Sequence, residues 1–405
     1  MIVTAEEERQ GAEWDIRSGA SNYAALLIAQ AVGAVAAFAI VWLATRRLGA
    51  EGYGRVAAVV AATQLLMQVS LNWTAPSLTR FGCEEFVKTR KIASSFWTRL
   101  SILIPNILVV LIISPWWLPR VGAWLKIAPE AQPLVLVYML ASVLWLHVQH
   151  ALQGAKLQRL QGLLQATERM VTLLVLLCLI MAGKVTPITI IVGYVAGATL
   201  ALMAGLWRLR ILIFPLASLA LPHFKSMLRF SLPLVPAALA GYLVGNFLDA
   251  IFITRYLSIA DLGVYSVAYL IVGNFLQLPT LGSFLLLPMF ISLHTEGRSR
   301  AIDRYFSEVC PVIVLGWSLA CALAAAGCAL LLPVLFGEQY RAVSSLMWPM
   351  MATAAMSGPV LLGYGAVLNA WLATDLYLIA VTAQGGLNVI LNILLIPRYG
   401  LYGCA

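Results

Sequence analysis

Charge is what this sequence has least of. Only 11% of its 405 residues are Asp, Glu, Lys or Arg, against about 25% in soluble globular domains. A chain this poor in charge cannot build a solvated surface, which excludes a soluble enzyme or soluble binding module. The six cysteines include Cys178, Cys310, Cys321 and Cys328 in apolar stretches, with no CxxC pair among them. That excludes a disulfide framework and a thiolate metal centre, and leaves small hydrophobes. His147 and His150 have no nearby carboxylate to complete a metal site. There is no G-x-x-x-x-G-K-[ST] loop, so ATP hydrolysis in this chain is not expected. His, Cys and Ser form no recognisable hydrolytic set, so neither an enzyme nor a bound cofactor is expected. A cationic leader is missing too. Residues 1–17 carry Glu6, Glu7, Glu8, Glu13 and Asp15, so the first apolar segment is not a cleaved secretory signal.

What is abundant is hydrophobicity: 61% of the residues, with a mean hydropathy of +0.90. Charges punctuate it. Charge-free runs cover 18–45, 56–79, 100–119, 131–155, 185–207, 309–337, 342–374 and 376–397, each long enough to cross a ~30 Å hydrocarbon core as a helix. Three more segments fit with interruptions: 163–183 with Glu168 and Arg169, 230–256 with Asp249, and 262–295 with Pro279 and Pro288. The expected fold is an all-α polytopic membrane protein of about eleven spans. Long apolar runs without ten-residue alternation exclude an outer-membrane barrel.

Basic residues orient the chain. Of 26 Lys and Arg, 17 fall in the N-terminal tail and even-numbered loops (two in the tail, five over 80–99, three over 156–169, four over 208–229, three over 298–304) and nine in odd-numbered loops. That bias predicts a cytoplasmic N-terminus. The net charge of +9 calls for anionic membrane lipids and no nucleic acid.

The chain also repeats. RRLGAEGYGRVAA begins at Arg46 and RYLSIADLGVYSVA at Arg255; Leu48 and Gly54 match Leu257 and Gly263 at an offset of 209. A second pair, beginning at Leu152 and Leu368, matches at an offset of 216. Two matches in one order at nearly one offset predict duplicated six-helix lobes over 1–206 and 231–405. By that logic most of a twelfth helix would lie beyond Ala405. Between the lobes, 207–230 is expected to be either an amphipathic interfacial helix with Lys225 and Arg229 on one face or a helical extension of the seventh span.

RRLGAEGYG, LRFSLPLVP (228–236), DAIFITRYLSIADLGVYSVAYLI (249–271) and LNVILNILLIPRYGLYG (387–403) resemble the polysaccharide biosynthesis, or oligosaccharide flippase, family. The likeness runs from about residue 20 to the end. It places the chain in the superfamily that includes multidrug-and-toxin extruders and lipid II flippases. The resemblance implies a two-lobed, alternating-access transporter of twelve or fourteen helices in the cytoplasmic (inner) membrane. Its implied substrate is undecaprenyl-diphosphate-linked oligosaccharide for O-antigen, capsule or exopolysaccharide export. Polysaccharide polymerase and chain-length machinery are the implied partners.

A sugar and a diphosphate need a polar path, so polar groups inside apolar spans are the candidates. Asp249, one turn after Asn246, reads as a proton- or cation-coupling residue, or as a structural partner of Arg255. His147 and His150, three apart on one helix face beside Gln149 and Gln153, read as a relay, as diphosphate partners, or as interhelical hydrogen bonds. Arg80 in NWTAPSLTRF, Glu168 and Arg169 would meet an anionic headgroup, or snorkel. The resemblance supports an acidic residue at Asp249 and a basic one near Arg80. Asn388 and Asn392, four apart, and Asn369 line a sugar path or tie helices together. Trp116, Trp117, Trp124 and Trp207 sit at span ends, as in an interfacial belt, whereas Trp73, Trp145 and Trp371 are better placed to face a cavity. A cation-coupled small-molecule exporter and a membrane-embedded assembly enzyme or scaffold are the competing readings.

Overall fold

The computed structural model describes residues 5–214, 221–232, 235–236, 246–295, 298–365, 367 and 374–404, with most of their side chains from Ile28 onward. Among the described residues the chain is helical with no strand, as hydrocarbon demands of a backbone that must satisfy its own hydrogen bonds. The helices are α1 (Ala5–Leu66), α2 (Ala75–Thr89), α3 (Ala93–Ile112), α4 (Ser114–Trp124), α5 (Gln132–Gly154), α6 (Gln158–Met181), α7 (Pro187–Ile213), α8 (Leu221–Ser231), α9 (Asn246–Tyr256), α10 (Ile259–Thr295), α11 (Ser299–Arg304), α12 (Cys310–Phe336), α13 (Arg341–Pro359) and α14 (Thr374–Tyr399).

Nine described stretches are long and apolar enough to cross a membrane, against about eleven expected. One stretch, Ile28–Leu66, has 39 residues, about twice what a single crossing needs. Gly49 breaks it with φ 69°, a left-handed conformation open to glycine, so it holds most of the first expected span and the start of the second. Of the seventh expected span, 230–256, residues 233–234 and 237–245 lie outside the described ones, and the rest includes the end of α8 and all of α9.

The third span is shifted from its expected bounds. The charge-free run spans 100–119, but α3 covers Ala93–Ile112 and α4 starts at Ser114. The cause lies in α2. The Glu85 carboxylate accepts from the Ser94 and Ser95 backbone N–H groups at 2.9 and 2.8 Å, satisfying donors that a helix start leaves open. At the other end α3 stops at its cap residue Ile113, and Pro115, without an N–H, sits in the first turn of α4. The shift carries Arg99 out of the expected loop and into the helix. A short 3-10 segment, Asn72–Thr74, precedes α2, and Pro76 occupies the first turn of that helix, where its missing N–H costs nothing. Residues 207–213 extend α7, and α8 is a separate helix with Met227 and Ser231 buried and Lys225, Ser226 and Arg229 exposed.

By contact the chain forms two compact units, one comprising Met1–Ile40, Ser70–Ser114 and Leu136–Leu234, the other Val41–Val69, Pro115–Val135 and Val235–Ala405. This grouping cuts the chain differently from a division at 207–230. The core of the first unit joins Leu78 of α2, Phe96 of α3, Trp145, Val148 and Leu152 of α5, Leu164 of α6 and Ala198, Ala201 and Leu209 of α7.

The second unit contains the repeat's own contact. A Cβ on Gly54 would collide with the Ile259 carbonyl oxygen, and one on Gly263 with the Ala50 carbonyl oxygen. Ala50 pairs with Ile259, and Gly54 with Gly263, at the 209-residue offset read from the sequence. The two helix starts therefore cross backbone to backbone in a pseudo-symmetric pair. Each begins differently: the first after Gly49, the second at Ser258, whose N–H and Oγ bond Asp261 while the Asp261 N–H bonds back.

Candidate functional site

Two clusters of buried polar side chains lie within the apolar helices, one in each unit. In the first unit, Arg99 on α3 is fully buried, at 0% exposure. Its Nε donates to Thr74 Oγ1 at 3.4 Å and its Nη1 lies 3.1 Å from His147 Nδ1 on α5. A guanidinium only donates, so Nδ1 accepts and the imidazole proton is on Nε2. Arg99 Nη2 and His147 Nε2 are buried and have no hydrogen-bond partner among the described residues. The His147 ring packs on Phe96 with centroids 4.4 Å apart.

One turn along α5, His150 Nδ1 lies 3.0 Å from Thr79 Oγ1, which donates to Gln153 Oε1 at 3.3 Å. The hydroxyl has one proton, so with that proton on Gln153 its oxygen accepts from His150. His147 and His150 share a face, as their spacing predicts, but each is bonded to another helix and not to its neighbour. The remaining first-unit candidates are apart from this group. Arg80 is exposed, with its Nε 3.3 Å from Glu84 and its guanidinium 4.7 Å from the Phe230 ring centroid. Glu168 accepts from Trp145 Nε1 at 2.6 Å, and Arg169 packs on Gly33 of α1, where a Cβ would come within 3.2 Å of its Nη1. A glutamine chain runs beside them: Gln30 donates to Gln165 and Gln165 to Gln149.

In the second unit Asp249 on α9 is 4% exposed. Tyr265 OH donates to its Oδ2 at 2.5 Å, and Asn392 Nδ2 donates to its Oδ1 at 2.7 Å. The second Asn392 proton goes to Asn388 Oδ1 at 2.6 Å, as the four-residue spacing allows. Three helices, α9, α10 and α14, thus meet on one carboxyl group. The alternative partner, Arg255, makes no such pair. It is exposed, with its guanidinium 5.7 Å from the Tyr256 ring centroid. The Asn246 side chain, Asn369 and Trp371 lie outside the described residues. Trp116, Trp124 and Trp207 are exposed on the surface, consistent with a belt.

Sequence reasoning missed Arg99, Thr74, Thr79 and Tyr265. Arg99 borders a charge-free run and so counted as a loop charge; the helix-capping position of Glu85, nine residues before Ser94, was the available signal. Nothing in the spacing singles out Tyr265 among 14 tyrosines.

The chain matches the polysaccharide biosynthesis protein family over residues 20–294. Among solved structures it is similar to the lipid II flippase MurJ in an inward closed conformation, with a TM-score of 0.69 and 14% identity over 95% of this chain and 83% of that one. It is also similar to an inward-facing multidrug resistance MATE family transporter of the MOP superfamily, with a TM-score of 0.52 and 14% identity over 93% and 89% of the two chains. No curated protein matches it. At these identities the two structures establish a shared fold.

Proposed function

We propose, for a chain that belongs to the polysaccharide biosynthesis protein family, that it is a flippase moving undecaprenyl-diphosphate-linked oligosaccharide across the cytoplasmic membrane. The protein is a multi-pass membrane protein of the fold shared with MurJ and MATE transporters. The observation that carries the functional reading is the burial of ionisable groups with hydrogen-bonded partners inside apolar helices, Arg99 with Thr74 and His147 in the first unit and Asp249 with Tyr265 and Asn392 in the second. Polar groups in hydrocarbon are costly, and a headgroup of diphosphate and sugars is the kind of cargo that needs them. In this reading six-helix lobes over 1–206 and 231–405 rock about a central path, with the N-terminus cytoplasmic. Asp249 couples transport to an ion gradient, the Asn388–Asn392 pair meets sugar, and His147, His150, Arg80, Glu168 and Arg169 serve the entering headgroup.

The buried Asp249 carboxyl also favours a second reading, a cation-coupled exporter of small molecules. Proteoliposomes separate the two. Fluorescent polyprenyl-diphosphate oligosaccharide is loaded and its exposure to an impermeant quencher followed, with and without a pH or Na⁺ gradient. Protein-dependent translocation supports the flippase. Efflux of small organic cations without it moves the conclusion to the exporter. Full transport by Asp249→Asn at normal expression removes the coupling role.

A further inference from the structure

Arg99 differs from the other basic side chains of the first unit. Arg80, Arg90, Lys91, Lys225 and Arg229 are exposed, whereas Arg99 lies fully buried in a membrane-length helix. A cation in that position is ordinarily paired with a carboxylate. No ion pair with Arg99 exists among the described residues: Glu85, on the adjacent helix, uses both oxygens on the Ser94 and Ser95 backbone. Of five guanidinium N–H donors, the structure gives partners only at Nε and Nη1, both neutral, and leaves Nη2 with none.

His147 reinforces the pattern. Because its Nδ1 accepts from Arg99, its Nε2 carries a proton, and that donor is buried without a partner as well. The unsatisfied valences of the pair are therefore all donors, around a fixed positive charge. Several N–H groups and one positive charge match the oxygens of a phosphate-class anion. One turn along α5 from His147, His150 is half-buried with Thr79 and Gln153.

We propose that Arg99 and His147 form a phosphate-class anion site in the first unit, closed in this conformation, that receives the diphosphate of the lipid-linked substrate. The site rests on the flippase reading for the identity of its anion. An unpaired buried cation that contributes little to the resting fold is the cost of a site that waits for its counter-charge.

The test uses the purified full chain in nanodiscs, with binding measured for undecaprenyl diphosphate, undecaprenol and inorganic pyrophosphate and unfolding temperature measured without ligand. The wild type should prefer undecaprenyl diphosphate over undecaprenol by at least about tenfold, which is ~1.4 kcal/mol. Arg99→Gln should abolish that preference, and His147→Phe, which keeps a ring against Phe96, should weaken it several-fold. Without ligand, Arg99→Gln should unfold at the same or a higher temperature than the wild type, since the unpaired charge is gone. Competition by pyrophosphate would extend the site to free anions; loss of binding in Arg99→Gln without such competition would assign the lipid headgroup alone, and both outcomes support the site. An Arg99→Gln protein that does not fold, or unfolds at a lower temperature, assigns Arg99 to the structure and overturns the proposal. So does a wild-type-like preference in both variants, which leaves the flippase reading standing. A wild type without any preference for the diphosphate overturns the site and the flippase reading together.

Discussion

Alanine at Gly54 or Gly263 should destabilise the second unit, and the two substitutions should be strongly non-additive. A Cβ at either position falls inside the contact distance of a facing carbonyl oxygen, with the other glycine's nitrogen also within 3.2 Å of Gly54's Cβ and 3.0 Å of Gly263's. Backbone atoms cannot rotate aside, so the helix starts must separate by about 1 Å, and a gap of that size forfeits roughly a quarter to a half of the dispersion energy across a seam. Overpacking a close-packed contact costs about 1–3 kcal/mol, and the gain in helix propensity from Gly to Ala returns at most about 1 kcal/mol. Each single variant should therefore lose about 1–2 kcal/mol. Both alanines force open the same crossing, so the second meets helices already parted. The double variant should then lose about as much as the worse single one, a coupling of order 1 kcal/mol. Unfolding of the protein in detergent micelles with increasing guanidinium, read by tryptophan fluorescence, gives all four corners of the cycle. Additivity within about 0.5 kcal/mol would refute the pseudo-symmetric crossing as one shared seam.

Other substitutions probe the polar clusters through the same unfolding measurement. Tyr265→Phe removes a donor to the buried Asp249 and should cost about 1.5–3 kcal/mol, the range for a hydrogen bond to a charged group. Trp145→Phe strips Glu168 of its 2.6 Å indole donor; it should cost about 1–3 kcal/mol, and Glu168→Leu in the same protein should recover part of that loss. Arg80→Ala removes an exposed ion pair, with both side chains more than half exposed, and should change stability by less than about 1 kcal/mol, so any larger effect on transport would mark a role in the headgroup path.

Apolar length was the most readable property, because charge-free runs of membrane length have no other soluble or barrel explanation. The repeat was readable too, and its matched glycines meet in space because a backbone crossing tolerates nothing larger. Helix starts were less readable. A hydropathy run ends at the first charge, but a helix ends where its backbone donors are no longer satisfied, and Glu85 moved α3 upstream through two hydrogen bonds. That is why Arg99 was hidden while Asp249, in the middle of an apolar stretch, was not. Partners across helices were unreadable for a related reason. Arg255 follows Asp249 by less than two turns and is the natural choice along the chain, yet Tyr265 and Asn392 reach the carboxyl because α10 and α14 present them there.

Arg99 and Asp249 are both ionisable groups without an opposite charge beside them among the described residues, yet their surroundings predict opposite consequences of neutralisation. Asp249 has each oxygen occupied by a donor from another helix. Asparagine there turns one acceptor into a donor facing a donor, so Asp249→Asn should cost about 1–3 kcal/mol. Arg99 makes two bonds to neutral groups and leaves a third nitrogen and His147 Nε2 unmet, while its charge bears a desolvation penalty of several kcal/mol. Arg99→Gln should therefore stabilise the resting protein, in the manner of functional groups that trade stability for activity. The clusters share no residue and no hydrogen-bond partner, so the double variant should equal the sum of the singles within about 0.5 kcal/mol. Four unfolding curves decide the matter: a destabilised Arg99→Gln would make its hydrogen bonds structural, and a coupling above 1 kcal/mol would mean the two charges stabilise one another.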